Sequence, residues 1–228
     1  MIADKKEFYT GAVLMLGFII VLVLIFSPIF AGKNGLDYLD DLYNSISKAS
    51  AYYIPKLKED AKKFDGTNIS VNIKMKSEED AKQIEPLFGK SIVNVTRTGT
   101  ELKVEGDLGK IFANCLEDTD TMFANDGAKV SGKYNYEEKR VLYNWHKALS
   151  ATDKALKKQE KFKEANFIGK VMKKGVECSY NYYKIKPQKI TERVGVVLFS
   201  LIFYVVYTMW YGFSILLMFE GWGIRLSH

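Results

Sequence analysis

The chain has 228 residues, of which 47% are hydrophobic and 26% charged, and its formal net charge is +6. With two cysteines and two histidines it has no zinc-ligand spacing and no covalent haem motif, which argues against a metalloprotein. The sequence has no glycine-rich phosphate loop and no nucleophile motif. We therefore expect neither an enzyme nor a protein with a cofactor.

The first predicted element is an uncharged run that follows a short polar tail, residues 1–7. This run, residues 8–32, is longer than the apolar core of a signal peptide, and we interpret it as an uncleaved transmembrane helix. Gly11 and Gly17 place small residues in its first half. Small residues allow a second helix to approach closely, so they indicate a helix contact.

The segments next to the membrane have the pattern of long helices. An apolar stripe at heptad-like spacing predicts a stalk helix over residues 33–66, with a kink near Pro55. A similar stripe predicts a returning stalk helix over residues 137–186, bent at Gly169 and Gly175. Because the two stripes leave and re-enter the membrane side by side, we expect them to pair as a coiled coil.

The middle of the chain predicts a small domain. Residues 67–136 read as β-α-β-β-α, with a hairpin around Thr98-Gly99 and a further strand over residues 130–136. This order favours a sandwich of helices on one face of an antiparallel sheet. The predicted fold class is therefore a membrane α+β protein, in which two transmembrane helices flank a long-helix stalk and a small α/β sandwich head.

The second apolar run, residues 194–219, contains no charged residue. A helix of that length exceeds the ~30 Å hydrocarbon core of a bilayer, which predicts a second transmembrane helix. Polar aromatic side chains prefer the membrane interface, yet several lie in mid-span here and would be better satisfied against protein. We expect a contact with a partner's membrane helices, formed by Ser200, Tyr204, Tyr207, Trp210 and Tyr211, with Gly11 and Gly17 as a second candidate. A plain lipid anchor is the alternative.

Two smaller features complete the layout. In the terminal segment, residues 220–228, Trp222 and Arg225 have the character of an interface anchor. The two cysteines, Cys115 and Cys178, are candidates for a disulfide if the domain lies in an oxidising compartment. Two buried free thiols are an equally ordinary outcome.

These observations predict a non-catalytic, two-span subunit of a larger membrane complex, which acts as a scaffold or docking platform through its extramembrane domain. The expected partners are other integral membrane subunits and the lipid bilayer, not nucleic acid, and a homo-oligomer is a further arrangement. The alternative is an extracytoplasmic sensor or ligand-binding module that signals through a partner protein. The two tails, residues 1–7 and 220–228, are too short to hold a signalling domain, which favours the subunit.

The orientation can be tested directly. Lys5 and Lys6 precede the first apolar run like the basic region of a signal anchor, which predicts cytoplasmic termini and a periplasmic domain in the inner membrane. The charges beside the domain favour the reverse, but long loops translocate largely regardless of charge. Cysteines introduced at Lys90 and Ser227 should label from opposite sides of the membrane. Labelling of Ser227 from outside, with Lys90 protected, would show the reverse orientation.

Overall fold

The computed structural model describes residues 2–224 and is mostly helical, with one small sheet. The helices are α1 (Lys5–Phe26), α2 (Gly35–Ser50), α3 (Ile54–Ala61), α4 (Glu78–Lys90), α5 (Leu108–Phe123), α6 (Gly127–Tyr134), α7 (Glu138–Lys158), α8 (Phe162–Val171), α9 (Cys178–Tyr182) and α10 (Val194–Gly221). The strands are β1 (Asn68–Lys74), β2 (Asn94–Thr98) and β3 (Glu101–Asp107). A π-helical segment, Met172–Glu177, joins α8 to α9.

The chain divides into two compact units. One unit, the helix pair, contains α1 and α10 with the residues up to Ser47 and from Pro187 onward. Its two long helices are apolar and long enough to cross a membrane, at 22 and 28 residues. One lies near each end of the chain, which is consistent with a two-pass membrane protein. The other unit, the globular unit, runs from Lys48 to Lys186.

The globular unit is organised around an antiparallel sheet with strand order β1-β3-β2. Ile69, Val71 and Ile73 alternate with polar residues in β1 and are buried, as the period of two in the sequence predicts. Val104 in the central strand lies opposite Val71 on one side and Val95 on the other. The hairpin predicted around Thr98-Gly99 is confirmed, because β2 and β3 pair antiparallel. Ser77 is the N-cap of α4, and its hydroxyl accepts the Asp80 amide at 3.1 Å.

The predicted helix with a break near Pro55 is present as α2 and α3, but its predicted pairing with the returning helix as a separate stalk is wrong. The apolar stripes of α3 and α7 are buried in the same core as the sheet, and both helices belong to the globular unit. Leu57 of α3 and Trp145 of α7 are 5% and 0% exposed. Helix α7 ends at Lys158. The chain turns there through Glu160, which has a positive φ of 60°, and not at Gly169 as predicted. A heptad-like stripe shows that a helix has a buried face, but the core that covers it is set by distant parts of the chain.

The predicted strand over residues 130–136 is also wrong, because most of this segment forms α6. Val130 and Tyr134, four residues apart, are both buried, as on one face of a helix. Asn135 ends the helix in the left-handed conformation at φ 62°, a common role for asparagine. Over so short a segment, the pattern of apolar and polar residues fits a strand and a helix equally well.

A buried polar network fixes α5, α6 and α7 to one another. The Asp118 carboxylate, 1% exposed, accepts the Tyr134 hydroxyl at 2.6 Å, the Trp145 indole N–H at 2.8 Å and the Lys133 ammonium at 2.7 Å. Burial, followed by the Asp118 charge, raises the pKa of Tyr134, which keeps the phenol neutral as a donor. Each donor meets an acceptor, so the network holds its three helices in one arrangement.

Lys48 joins the two ends of the globular unit. Its side chain is 1% exposed, and its ammonium donates to the Ile185 and Tyr182 carbonyls at 2.7 and 3.0 Å and to the Asn125 amide oxygen at 2.9 Å. The ammonium also lies 4.9 Å from the centre of the Phe123 ring. Burial lowers the pKa of Lys48, because the charged form loses hydration. The side chain of the first residue of the unit is therefore bonded to the backbone close to its last residue.

We expect removal of the Asp118 carboxylate to be strongly destabilising. In Asp118→Ala the donors of Lys133, Tyr134 and Trp145 lose their acceptor, and breaking a buried charged pair typically costs about 3–5 kcal/mol. Denaturant unfolding of the full chain in detergent, followed by near-ultraviolet circular dichroism, measures this. The control is Glu117→Ala on the same helix, where the side chain is 73% exposed and the expected change is within about 0.5 kcal/mol. Equal effects of the two variants would contradict this role.

Candidate functional site

The first candidate site is the contact between α1 and α10, which run antiparallel within the helix pair. The side chains of α10 that face α1 recur at alternating spacings of three and four residues, and those of α1 do the same. This is the spacing of a coiled-coil seam. The seam positions of α10 include Ser200, Phe203, Tyr207, Trp210, Ser214 and Gly221, and those of α1 include Phe8, Gly11, Phe18 and Ile25.

Glycines let the two helices approach closely. A Cβ on Gly11 would lie 2.8 Å from both the Ser214 carbonyl oxygen and the Met218 amide nitrogen. A Cβ on Gly17 would lie 2.9 Å from the Trp210 ring. The sequence predicts that a helix packs against Gly11 and Gly17, and the structure shows that the helix is α10 of the same chain.

Polar aromatic side chains of α10 donate hydrogen bonds to the backbone of α1. The Trp210 indole N–H donates to the Leu14 carbonyl at 3.0 Å, and the Tyr207 hydroxyl donates to the Phe18 carbonyl at 3.0 Å. The Tyr207 and Phe18 rings also stack with centroids 4.3 Å apart. In hydrocarbon these donors have no water to bond, and measured interhelical hydrogen bonds in membranes contribute roughly 0.6–2 kcal/mol. Tyr207 and Trp210 therefore have hydrogen-bond partners within the chain.

The predicted aromatic face divides in the structure. Tyr207 and Trp210 lie against α1, whereas Tyr204 is 69% exposed and Tyr211 is 45% exposed. Tyr211 still touches the edge of the contact, with its ring centroid 5.1 Å from that of Phe18. Tyr204 directly follows the seam residue Phe203, and because adjacent residues differ by about 100° around a helix, its side chain is turned away from α1.

The two ends of the pair are closed by further hydrogen bonds. The Gly221 carbonyl accepts the amides of Ala3 and Asp4, each at 2.9 Å. At the other end, Ser200 is hydrogen-bonded to the Tyr43 hydroxyl at 2.7 Å, so this predicted contact residue is also satisfied within the chain. The Trp222 ring packs edge-on against Phe8 at 5.9 Å. Arg225, its predicted companion as an interface anchor, lies outside the described residues.

The cysteines are both free thiols in the structure. Cys115 is fully buried in α5, and burial raises the pKa of its thiol well above the usual range. The Cys178 thiol donates to the Ala51 carbonyl at 3.4 Å, and burial raises its pKa as well. Of the two outcomes left open by the sequence, the structure has the unpaired one, with both thiols in the less reactive protonated form.

The second candidate site is a groove of about 590 Å³ on the globular unit. Its floor is apolar and includes Ala61, Ala113 and Leu116. Its charged lining consists of four lysines and two carboxylates: Lys58, Lys62, Lys90, Lys110, Asp65 and Glu117. Lys58 is paired with Asp120 at 2.5 Å, but the other three lysines make no ion pair with any carboxylate in residues 2–224. We refer to this surface as the lysine groove.

Ile92 at the edge of the lysine groove has a conformation that its residue type disfavours. It directly follows Ser91, the C-cap of α4, and has a φ of 56°, the left-handed conformation that glycine usually provides after a helix. A residue with a Cβ pays about 1–2 kcal/mol there. Its side chain is 79% exposed, the largest value among the exposed large hydrophobic residues of the described chain. The fold gains no packing from this isoleucine. The sequence analysis did not single out Ile92 as a functional residue.

Neither candidate site has the geometry of a metal centre. Within residues 2–224 there is no group of three or more His, Cys, Asp or Glu side chains placed to hold a metal ion. No protein-family model, curated protein or solved structure matches the chain.

We expect Gly17→Leu to displace Trp210, because even a Cβ would overlap its ring. Overpacking of this kind typically costs about 1–3 kcal/mol, and we expect the free energy of pairing of the two helices to fall by that amount. In vesicles containing lipid brominated deep in the acyl chains, quenching of Trp210 fluorescence should rise. The matched control is Gly212→Leu, since a Cβ on Gly212 would have no atom within 4 Å. Increased quenching in both variants, or in neither, would contradict the contact.

Proposed function

We propose that the chain is a non-catalytic, two-span subunit of a larger membrane protein complex. In this proposal α1 and α10 cross the bilayer as a pair, and the globular unit serves as a scaffold or docking platform outside it. The partners are other integral membrane subunits. The proposal rests on one observation above the others, the exposed tyrosine in the middle of α10.

The outward face of α10 carries polar and small residues where a lipid anchor would be apolar. Tyr204 lies about 15 Å along the helix from Val194, too deep for its hydroxyl to reach water. Its hydroxyl has no hydrogen-bond partner among the described residues. An unpaired hydroxyl in an apolar medium costs roughly 1–3 kcal/mol. One and two turns further on, Thr208 and Gly212 are also exposed, and together they form a surface that another helix can approach.

The orientation in this proposal has both termini in the cytoplasm and the globular unit in the periplasm, with the spans in the inner membrane. Lys5 and Lys6 before the first span support it. A periplasmic globular unit would place Cys115 and Cys178 in an oxidising compartment. The burial of Cys115, the partial burial of Cys178 and the free state of both thiols are compatible with that location.

We expect the double variant Tyr204→Phe with Gly212→Leu to lose its partner while keeping the helix pair. The first change removes the unpaired hydroxyl and the second fills the position where a helix can approach. A loss of 1–2 kcal/mol would reduce association by roughly tenfold. Stoichiometric copurification from native membranes in mild detergent measures this.

The control for this experiment is Phe213→Leu, which alters an exposed side chain, 54% accessible, on another side of α10. It should copurify like the unaltered chain. Full association of the double variant would show that α10 is an anchor only. A chain that purifies alone from every mild detergent would contradict the subunit proposal.

A further inference from the structure

We propose that the lysine groove is a docking site for an acidic, amphipathic segment of a partner protein, with Ile92 as its apolar contact. This inference rests on the proposed docking role of the globular unit and assigns that role to one surface. Three independent features of the groove support it: its charge, its shape and the backbone of Ile92.

The charge of the groove favours an acidic partner, because its four lysines outnumber its two carboxylates, Asp65 and Glu117. Lys62, Lys90 and Lys110 are exposed at its rim without an ion-pair partner among the described carboxylates. Lys62 directly follows α3, Lys90 ends α4 and Lys110 lies in α5, so their convergence arises from the fold and not from a single charged run. Converging positive charges raise the local concentration of an anionic ligand and its rate of association.

The shape of the groove favours a protein segment over a lipid surface. Its floor is concave and apolar, and Leu116 there is buried within the core while facing the cavity. A flat bilayer surface cannot reach such a floor, whereas a side chain projecting from a helix or an extended peptide can. A cavity of about 590 Å³ is in the range of surfaces that receive such groups.

Ile92 supplies the evidence that the surface is used. A residue that is held in an unfavourable backbone conformation and gains no packing from it is a marker of function. Glycine or asparagine would end α4 with less strain, and neither would present a large apolar group. The apolar side chain of this isoleucine is buried only when another molecule covers it. An acidic segment with an apolar side chain at this point would bury Ile92 and pair with the lysines around it.

The test uses the full chain in nanodiscs of neutral phosphatidylcholine. The probe is a fluorescein-labelled peptide with leucine at every third or fourth position in a glutamate background, compared with the same peptide carrying glutamine for glutamate. We expect saturable binding of the glutamate peptide, weakened by salt, and at least tenfold weaker binding of the glutamine peptide. Vesicles containing one quarter phosphatidylglycerol are offered in parallel.

Two variants and a control locate the binding. Ile92→Asn should weaken binding roughly tenfold and raise the melting temperature of the globular unit by about 3 °C, because asparagine tolerates the left-handed conformation. The rise in melting temperature separates loss of the contact from loss of the fold. Replacing Lys62, Lys90 and Lys110 together by glutamate should abolish binding. The same change at three exposed lysines elsewhere, Lys154, Lys158 and Lys173, alters net charge equally and should leave most of the binding.

Equal binding by Ile92→Asn and the unaltered chain, or equal effects of the two triple variants, would overturn the proposal. Groove-dependent capture of the anionic vesicles in place of the peptide would overturn its choice of partner. The outcome is separable from the test on α10: lost peptide binding with intact copurification removes only the groove assignment. Retained peptide binding with full copurification of the α10 double variant removes only the contact in the membrane.

Discussion

The organisation of this chain depends on the contact between glycines of α1 and aromatic side chains of α10. Gly11 and Gly17 remove the side chains that would hold the helices apart, and Tyr207 and Trp210 fill the space and bond to the α1 backbone. In a bilayer, apolar burial adds little to helix pairing, because lipid tails are as apolar as leucine. Close packing and interhelical hydrogen bonds must then supply the stability, and this contact has both.

That pairing has a consequence for the proposed role. A helix pair that satisfies its inner aromatics within the chain leaves its outer surface for other molecules, and on α10 this surface contains Tyr204 and Gly212. The globular unit shows the same division. Its interior polar groups around Asp118 are paired, whereas Ile92 and three lysines at its surface are not. In both units the unsatisfied groups lie where a partner can reach them.

Local features of the fold could be predicted from the sequence. The strand β1 follows from the alternation of Ile69, Val71 and Ile73, and the start of α4 follows from the Ser77 cap, because both signals act between neighbouring residues. The segment that forms α6 was not predictable in this way. Its helical form is supported by a hydrogen bond from Tyr134 to Asp118 on a different helix, which no short window contains.

The candidate sites were predictable only in part. The spacing in α10 indicates that its aromatic residues pack against a helix, but a pattern within one helix does not identify its neighbour. The contact was therefore expected with a partner, whereas Tyr207 and Trp210 contact α1. The lysine groove was not predicted, because its residues are brought together by the fold. A signal for Ile92 does exist: an isoleucine stands where glycine would usually follow a helix.

The central claim, that α1 and α10 pair within one chain, is tested most directly by a designed disulfide. A Cβ on Gly223, whose φ is 89°, would lie 3.2 Å from the Cβ of Ala3, within a few tenths of an ångström of the separation found in disulfides. Ala3→Cys with Gly223→Cys, oxidised with copper phenanthroline in isolated membranes, should form a crosslink within the monomer, whereas Ala3→Cys with Gly195→Cys should not. Absence of this crosslink, or crosslinked dimers alone, would contradict the account.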